Sequence, residues 1–275
     1  MGFVSGIDVG GTKTLVETYG GGPEPLYSRE FPTPRTGDIL GILARAVEEQ
    51  AGTGGVDGVA VACPGPLDPR EGVVLNPPNL SREWWGLRLA EGLGERLGRP
   101  VAVENDANLG ALGEAVYGTG ERYGSLLYIT VSTGIGAGLV LGEEVFGGSR
   151  GFAGELGHVV VAENGPRCGC GRVGCLEVVA SGSAIARRAR EAGWSPPPEE
   201  PADARAVISA FSGGDEAARR ILEESAAYLG RSIVDFLYAY DPEAVVLGGG
   251  VASSEAFVDL VREAVDREPM MPAFR

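Results

Sequence analysis

Four side chains near the middle of the chain have the types and spacing of a metal-ligand set. His158 is the only histidine, and three of the four cysteines, Cys168, Cys170 and Cys175, fall within eight positions shortly after it. One imidazole and three thiolates are the donor set of a closed tetrahedral zinc site. The rival readings explain less. Cys168-x-Cys170 is tighter than a redox Cys-x-x-Cys pair, a catalytic cysteine would need a histidine base, and disulfides would leave the unique histidine a coincidence. Four protein ligands leave no open position for activating water, so the expected zinc is structural and His158 is a ligand rather than a base. With no other histidine, any general base is expected to be a carboxylate. Glu155 and Glu177 flank the ligands. The metal is therefore expected to hold two acidic side chains where a polar substrate binds.

Two glycine turns could carry the other half of a reaction. Asp8-Val9-Gly10-Gly11-Thr12-Lys13-Thr14 offers closely spaced backbone N–H groups, two hydroxyls and an ammonium, a plausible phosphate cradle. Its spacing is not that of a Walker A loop, and a strand rather than a helix is expected after it. An ordinary Gly-Gly hairpin accounts for it about as well. Ser132-Thr133-Gly134-Ile135-Gly136-Ala137-Gly138 repeats the plan. Gly248-Gly249-Gly250, between a strand and a helix, could lie flat against a nucleoside or phosphate, but three glycines alone are a weak signal. Glu104-Asn105-Asp106-Ala107-Asn108 places polar side chains where a strand gives way to a helix, the usual ligand edge of an open α/β sheet. Helix capping would explain one of them comfortably, not four of five. Asn76 and Asn79 sit in a proline-stiffened loop, where turn chemistry or orientation of a polyol both fit.

These residues need elements to hold them. Strands are expected over 3–8, 15–19, 26–31, 56–62, 101–103, 125–131, 139–141 and 244–247 from apolar and β-branched runs between turn residues. Helices are expected over 37–51, 86–97 (closed by Gly98), 109–116, 181–192 (capped by Ser181), 203–211, 216–240 and 255–266 from helical spacing of apolar residues. Residues 196–201, with four prolines, are expected to form an exposed loop. Cys63, far from the metal cluster in sequence, reads as a small buried apolar residue. Two similar strand–turn–strand units suggest two α/β domains with a nucleotide between them, the first spanning 1–115 and the second 116–275.

Composition narrows the classes. The 275 residues can bury a sizeable core, and the 45 glycines cluster in short turns. A net charge of −15 lacks the basic stripe of a nucleic-acid footprint. An anionic substrate would need local help from backbone N–H groups, a magnesium ion or a few Lys and Arg. No stretch is long and apolar enough to span a membrane, no signal pattern opens the chain, and the cysteine spacing fits a reducing compartment. The expectation is a cytoplasmic protein with neither nucleic-acid nor membrane partners.

Taken in order, Asp8-Val9-Gly10-Gly11-Thr12-Lys13, Glu104-Asn105-Asp106, Thr133-Gly134-Ile135-Gly136, Glu155-x-Gly157-His158 and Cys168-x-Cys170-Gly171-x-x-Gly174-Cys175-x-Glu177 resemble the motifs of the ROK family (repressors, open reading frames and sugar kinases) across nearly the whole chain. Within that family the chain looks most like the bacterial ATP-dependent glucokinases. The resemblance implies an actin-like/hexokinase-like (ribonuclease H-like) fold of two α/β domains closing on a cleft. It implies transfer of the γ-phosphoryl group of ATP to the 6-hydroxyl of a hexose, glucose before N-acetylmannosamine, N-acetylglucosamine or fructose. It makes Asp106 the general base. Asn79, Asn105, Glu155, His158 and Glu177 match sugar-binding positions. Gly10, Gly11, Thr12 and Lys13 match the first phosphate loop, Thr133 and Gly134 the second, and Gly249 and Gly250 the loop beside adenosine. Asp8 would hold the hydration shell of the magnesium bound with ATP. His158 would place one ring nitrogen on zinc and the other toward the sugar, with Cys168, Cys170 and Cys175 completing the zinc site.

The resemblance also implies a homodimer. The family's regulators carry a winged-helix domain ahead of the first phosphate loop, which here begins at Asp8, so a sugar-sensing regulator is the lesser alternative. Family members generally continue past the last helix recognised here; the chain ends at Arg275, which is expected to weaken the tie between domains. Ser132 and Ala137 stand where relatives often have glycine.

Overall fold

A computed structural model describes residues 2–51, 55–197 and 201–274. The chain divides into two compact units, Met1–Gly110 with Gly147–Ala153, and Ala111–Phe146 with Gly154–Arg275.

The first unit is built on a five-stranded sheet. β1 (Val4–Val9) pairs antiparallel with β2 (Lys13–Tyr19), which pairs antiparallel with β3 (Tyr27–Pro32). α1 (Ile39–Ala51) leads to β4 (Gly58–Cys63), parallel to β1. β5 (Leu67–Asp68), β6 (Val73–Val74) and β7 (Leu87–Arg88) form a separate small antiparallel sheet. α2 (Leu89–Leu97) ends at Gly98 in the left-handed region. β8 (Val101–Asn105) then pairs parallel with β4, and α3 (Asp106–Tyr117) starts at the next residue. The sheet order is β3-β2-β1-β4-β8. Alternation puts Ile7, Val9, Val61, Cys63 and Val103 on one face, packed with Leu43, Trp84, Leu89 and Leu93. Cys63 is fully buried there, as its apolar reading expects.

The second unit repeats the strand plan. β9 (Ser125–Val131) pairs antiparallel with β10 (Ile135–Leu141), which pairs with β11 (Glu144–Val145). α4 (Leu176–Ala180), α5 (Gly182–Glu191), α6 (Ala204–Ser212) and α7 (Glu216–Tyr240) precede β12 (Ala244–Gly248), which lies parallel to β9. α8 (Gly249–Ala252) and α9 (Glu255–Arg267) follow. Helix starts are fixed by side chains that accept orphan amide hydrogens: Asp215 from Ala217 and Ala218, Asp203 from Arg205 and Ala206, Ser181 from Ala184. Each such cap contributes about 1 kcal/mol. The core joins Leu127, Ile129 and Val131 of β9 to Leu222 and Leu229 of α7 and Phe257 of α9.

Several boundaries differ from the sequence reading. α3 begins at Asp106, not 109. α2 begins at Leu89, because Leu87 and Arg88 pair with β6 instead. β10 begins at Ile135, so the second glycine turn is shorter than expected. α4 and the small sheet were not expected at all. Positions 198–200 of the expected 196–201 loop lie outside the described residues. Among the described residues, no helix is long and apolar enough to cross a membrane.

Candidate active site and metal centre

In the first unit the candidate residues gather at the carboxyl ends of the parallel strands β1, β4 and β8. Asp8 pairs with Ala62, and Cys63 pairs with Asn105, immediately before Asp106. Burial pushes the Cys63 thiol up to about 12, and the charges of Asp106 and Asp8 add to the effect. The two carboxylates thus both act on one thiol. Asp8 is itself raised above the ordinary 3.8, first by desolvation and then by the charge of Glu17. An acid raised on folding favours the folded state below its unfolded value, and that contribution is lost as pH rises through the folded value. Asp8→Asn is therefore expected to raise Tm slightly at pH 7 relative to the wild type, with the advantage shrinking toward pH 4. Thermal unfolding across that range measures it, and a lower Tm at pH 7 would contradict it.

The turn after β1 is tight. Gly10 N–H donates to Lys13 O at 2.9 Å, and a Cβ on Gly10 would sit 2.8 Å from that same oxygen. Thr33, fully inside, donates its hydroxyl to Gly10 O (2.7 Å) and its N–H to Thr12 O (2.9 Å). The 76–80 loop closes on the turn from the other side: a Cβ on Gly11 would lie 3.1 Å from Asn79 O. Trp85 Nε1 donates to Pro77 O of that loop at 3.3 Å, and Trp84 Nε1, just after the loop, donates to Pro34 O at 2.7 Å. The Asn79 side chain stays exposed. Lys13 does not face a free turn; its ammonium pairs with Glu30 on β3 at 2.6 Å.

The 104–108 run is a capping network. Asn105 Oδ1 accepts the N–H of Ala107 (2.9 Å) and of Asn108 (3.3 Å). Glu104 Oε1 accepts from Asn105 N–H (2.7 Å) and Asn108 Nδ2 (3.0 Å). Asp106 Oδ1 accepts Ala107 N–H at 2.9 Å, and the side chain is exposed. Capping occupies the Asn105 oxygen, so any sugar contact from Asn105 falls to its NH2 group.

In the second unit the candidate metal ligands come together. The donor atoms of His158, Cys168, Cys170 and Cys175 all lie within 4.8 Å of one another. His158 Nδ1 is 3.5 Å from Cys168 Sγ, and Cys170 Sγ is 3.6 Å from Cys175 Sγ. A tetrahedron with ordinary zinc bond lengths has N–S and S–S edges of about 3.5 and 3.8 Å. The donor set therefore fits zinc, and the sulfur separation is far too long for a disulfide. His158 turns Nδ1 to the cysteines and leaves Nε2 3.9 Å from Glu155 Oε2. A 3-10 turn, Leu156–His158, carries the histidine, and Glu155 immediately precedes it. Cys175 is the N-cap residue of α4, and Glu177 sits in the first turn of that helix. Metal ligand and acid thus share each of two short elements.

Glu177 reaches the second glycine turn. Its Oε2 accepts Ile135 N–H at 3.2 Å, and a Cβ on Gly134 would lie 2.4 Å from it. Thr133 O accepts Ser183 N–H at 3.2 Å. Gly249, at φ +86°, is pressed against Thr130 and Val131, and a Cβ on Gly250 would lie 3.8 Å from Ser132 Oγ. The second unit thus joins the second turn, the 248–250 run, Glu177 and the ligand cluster. Gly157 sits at the centre: a Cβ there would come 2.1 Å from Ile135 O. Gly157→Ala is expected to cost about 1–3 kcal/mol or more. Urea unfolding reads this, and an unchanged midpoint would show that the contact is slack.

Sequence reasoning missed Thr33 as the tie of the first turn. Its only signal was a Thr-Pro pair just after the third strand.

The comparisons with known proteins agree on one family. The family described as "ROK family" matches residues 4–272. The chain is 35% identical over 250 residues to a glucokinase of Thermotoga maritima, covering 86% of this chain and 77% of that protein. It is 34% identical over 269 residues to an N-acetylmannosamine kinase of Haemophilus influenzae, covering 96% and 85%. The structure of a ROK family glucokinase from Streptomyces griseus in complex with glucose and AMPPNP superposes with a TM-score of 0.84 at 31% identity, covering 100% of this chain and 92% of that one. The fold is the actin-like/hexokinase-like one.

Proposed function

The chain belongs to the ROK family, and from that premise we propose that it phosphorylates glucose at the 6-hydroxyl with ATP. The observation that carries the reading is the pair of carboxylates, Asp8 and Asp106, set at the ends of parallel strands beside a glycine turn in the first unit. Phosphoryl transfer asks mainly for positioning and charge neutralisation. Asp106 accepts the proton of the attacking hydroxyl, since its carboxylate is exposed at the first turn of α3 and held by Ala107 N–H. Backbone N–H groups of the Gly10–Thr12 and Thr133–Gly134 turns bind phosphoryl oxygens, and Gly249 and Gly250 lie against adenosine. Asp8, desolvated and beside Glu17, is an acid short of a cation. It suits the magnesium ion that accompanies ATP, which supplies charge neutralisation at the phosphates.

Asn79, Asn105, Glu155, His158 and Glu177 hydrogen-bond the sugar. Each unpaired buried hydroxyl costs about 1–3 kcal/mol, so fixed acceptors matter. His158, Cys168, Cys170 and Cys175 would hold a zinc ion as four protein ligands, and that ion would fix the two acid-bearing elements rather than take part in the chemistry. N-acetylmannosamine is the second reading, supported by the relative of that name that matches 96% of the chain. A panel of hexoses with ATP and magnesium separates them. The expected result is the highest kcat/KM on glucose; a much higher value on N-acetylmannosamine would replace glucose as the substrate. We place the protein in the cytoplasm as a homodimer, to be checked by fractionation and by light scattering.

A further inference from the structure

An arginine contact belongs to the first turn. Arg35 follows Thr33 and Pro34 out of β3, and its backbone is fixed from both sides. Thr33 is bonded to Gly10 and Thr12, and its hydroxyl lies 3.0 Å from that of Thr14. Pro34 O accepts the buried indole N–H of Trp84 (2.7 Å), and Arg35 O accepts the Ser81 hydroxyl (2.6 Å). The side chain is nevertheless exposed, and its Nη2 lies 3.4 Å from Gly11 O. Among the described residues no carboxylate forms an ion pair with it.

The obvious cation of this turn is otherwise engaged. Lys13 pairs with Glu30 at 2.6 Å on the exposed side of the sheet, diagonally across β2 and β3, whose register sets Lys13 opposite Pro32 and Glu30 opposite Leu15. In a chain of net charge −15, an arginine held beside a glycine turn without a carboxylate is a poised anion site. One long contact to Gly11 O leaves most of its five donors open, in the fork that matches phosphate oxygens. We propose that Arg35, rather than Lys13, is the cationic side chain that contacts the phosphoryl groups of the nucleotide at this turn. The proposal rests on the kinase reading of the site, and it adds a phosphate-binding residue outside the motifs of that reading.

Arg35→Gln and Arg35→Lys test it. Glutamine keeps a donor for Gly11 O but removes the charge, so it separates phosphate binding from tethering of the turn. The readouts are kcat/KM for ATP at saturating glucose, titration of Mg-ATP without sugar, titration of glucose, and Tm. The expected result is a loss of about 10-fold or more in kcat/KM for ATP and in Mg-ATP affinity for Arg35→Gln. Arg35→Lys should recover part of both, and glucose affinity and Tm should be unchanged. Arg35→Gln within about twofold of wild type on ATP would overturn the proposal. So would a parallel loss of Tm and glucose affinity, which marks a structural tether. If the wild type binds Mg-ATP but phosphorylates no hexose, the kinase reading fails while the titration still decides Arg35. If the wild type binds no Mg-ATP, both fail.

Discussion

Replacing Asp106 by alanine is expected to lower kcat by about 10^3-fold or more while glucose still binds. The side chain is exposed, and Ala107 N–H donates to it at the first turn of α3. Loss of that favourable charge at a helix start costs only about 0.3–1 kcal/mol. The Tm of the variant, measured beside its kcat, separates lost chemistry from lost folding. Asp106→Asn refines the test, since its amide oxygen can still accept from Ala107 while the base is gone. It should be nearly as inactive as the alanine variant, with an almost unchanged Tm. A coupled ADP assay and a glucose titration on each variant supply the numbers. Turnover within a few-fold of wild type in either would remove Asp106 from the base role.

The second large effect is expected at the metal cluster. Cys170 is the exposed ligand, so Cys170→Ala adds little packing damage of its own. The variant should lose bound zinc, measured by elemental analysis, and Tm should fall markedly. Structural zinc in small peptides is worth about 10–16 kcal/mol, and only part of that is at stake here because the second unit has its own large core. The diagnostic result is a rise of about 10-fold or more in KM for the sugar, on the scale seen when supports of a metal site are removed. The reason is local. His158 follows Glu155 by three residues, and Cys175 precedes Glu177 by two, so releasing the metal releases both acids. Zinc loss with normal sugar affinity would end the idea that the metal acts as a clamp.

Much of the frame could be read from residue order. The 216–240 helix was fully legible because Asp215 marks its start and an uninterrupted helical pattern follows. The β9 strand was legible for the same kind of reason, a clean apolar run between turn residues. The errors have physical causes. Glu104 to Asn108 reads as a loop because it is polar, yet Glu104, Asn105 and Asp106 accept amide hydrogens at the start of α3, which is how a helix can begin at Asp106, while Asn108 Oδ1 stays buried without a partner among the described residues. Gly136 and Gly138 hid the first half of β10, since glycine carries no strand signal of its own. The small sheet uses two-residue strands, too short for any period to register. α4 was hidden by the ligand spacing around it.

The candidate site was legible as a set of residue types, and less so as a set of partnerships. The metal ligands assemble because their spacing already required it. Lys13 shows the opposite case. Its proximity to the glycine turn in sequence suggests a phosphate contact, while in the sheet Lys13 lies opposite Pro32 and its ammonium reaches diagonally to Glu30. That register depends on how β2 and β3 pair, a tertiary fact that local sequence does not carry. Thr33 and Arg35 are the same lesson reversed. They approach the turn only because the chain returns along β3 and is then pinned by Trp84 and Ser81.

The most direct test is product identification. The purified protein is supplied with ATP, magnesium and glucose, in parallel with N-acetylmannosamine, and the products are followed by phosphorus NMR. The account predicts ADP and a hexose phosphate in equal amounts, with the phosphorus coupled to the two protons on carbon 6 of the sugar. Intact ATP with both sugars, or inorganic phosphate released without a sugar ester, would contradict it.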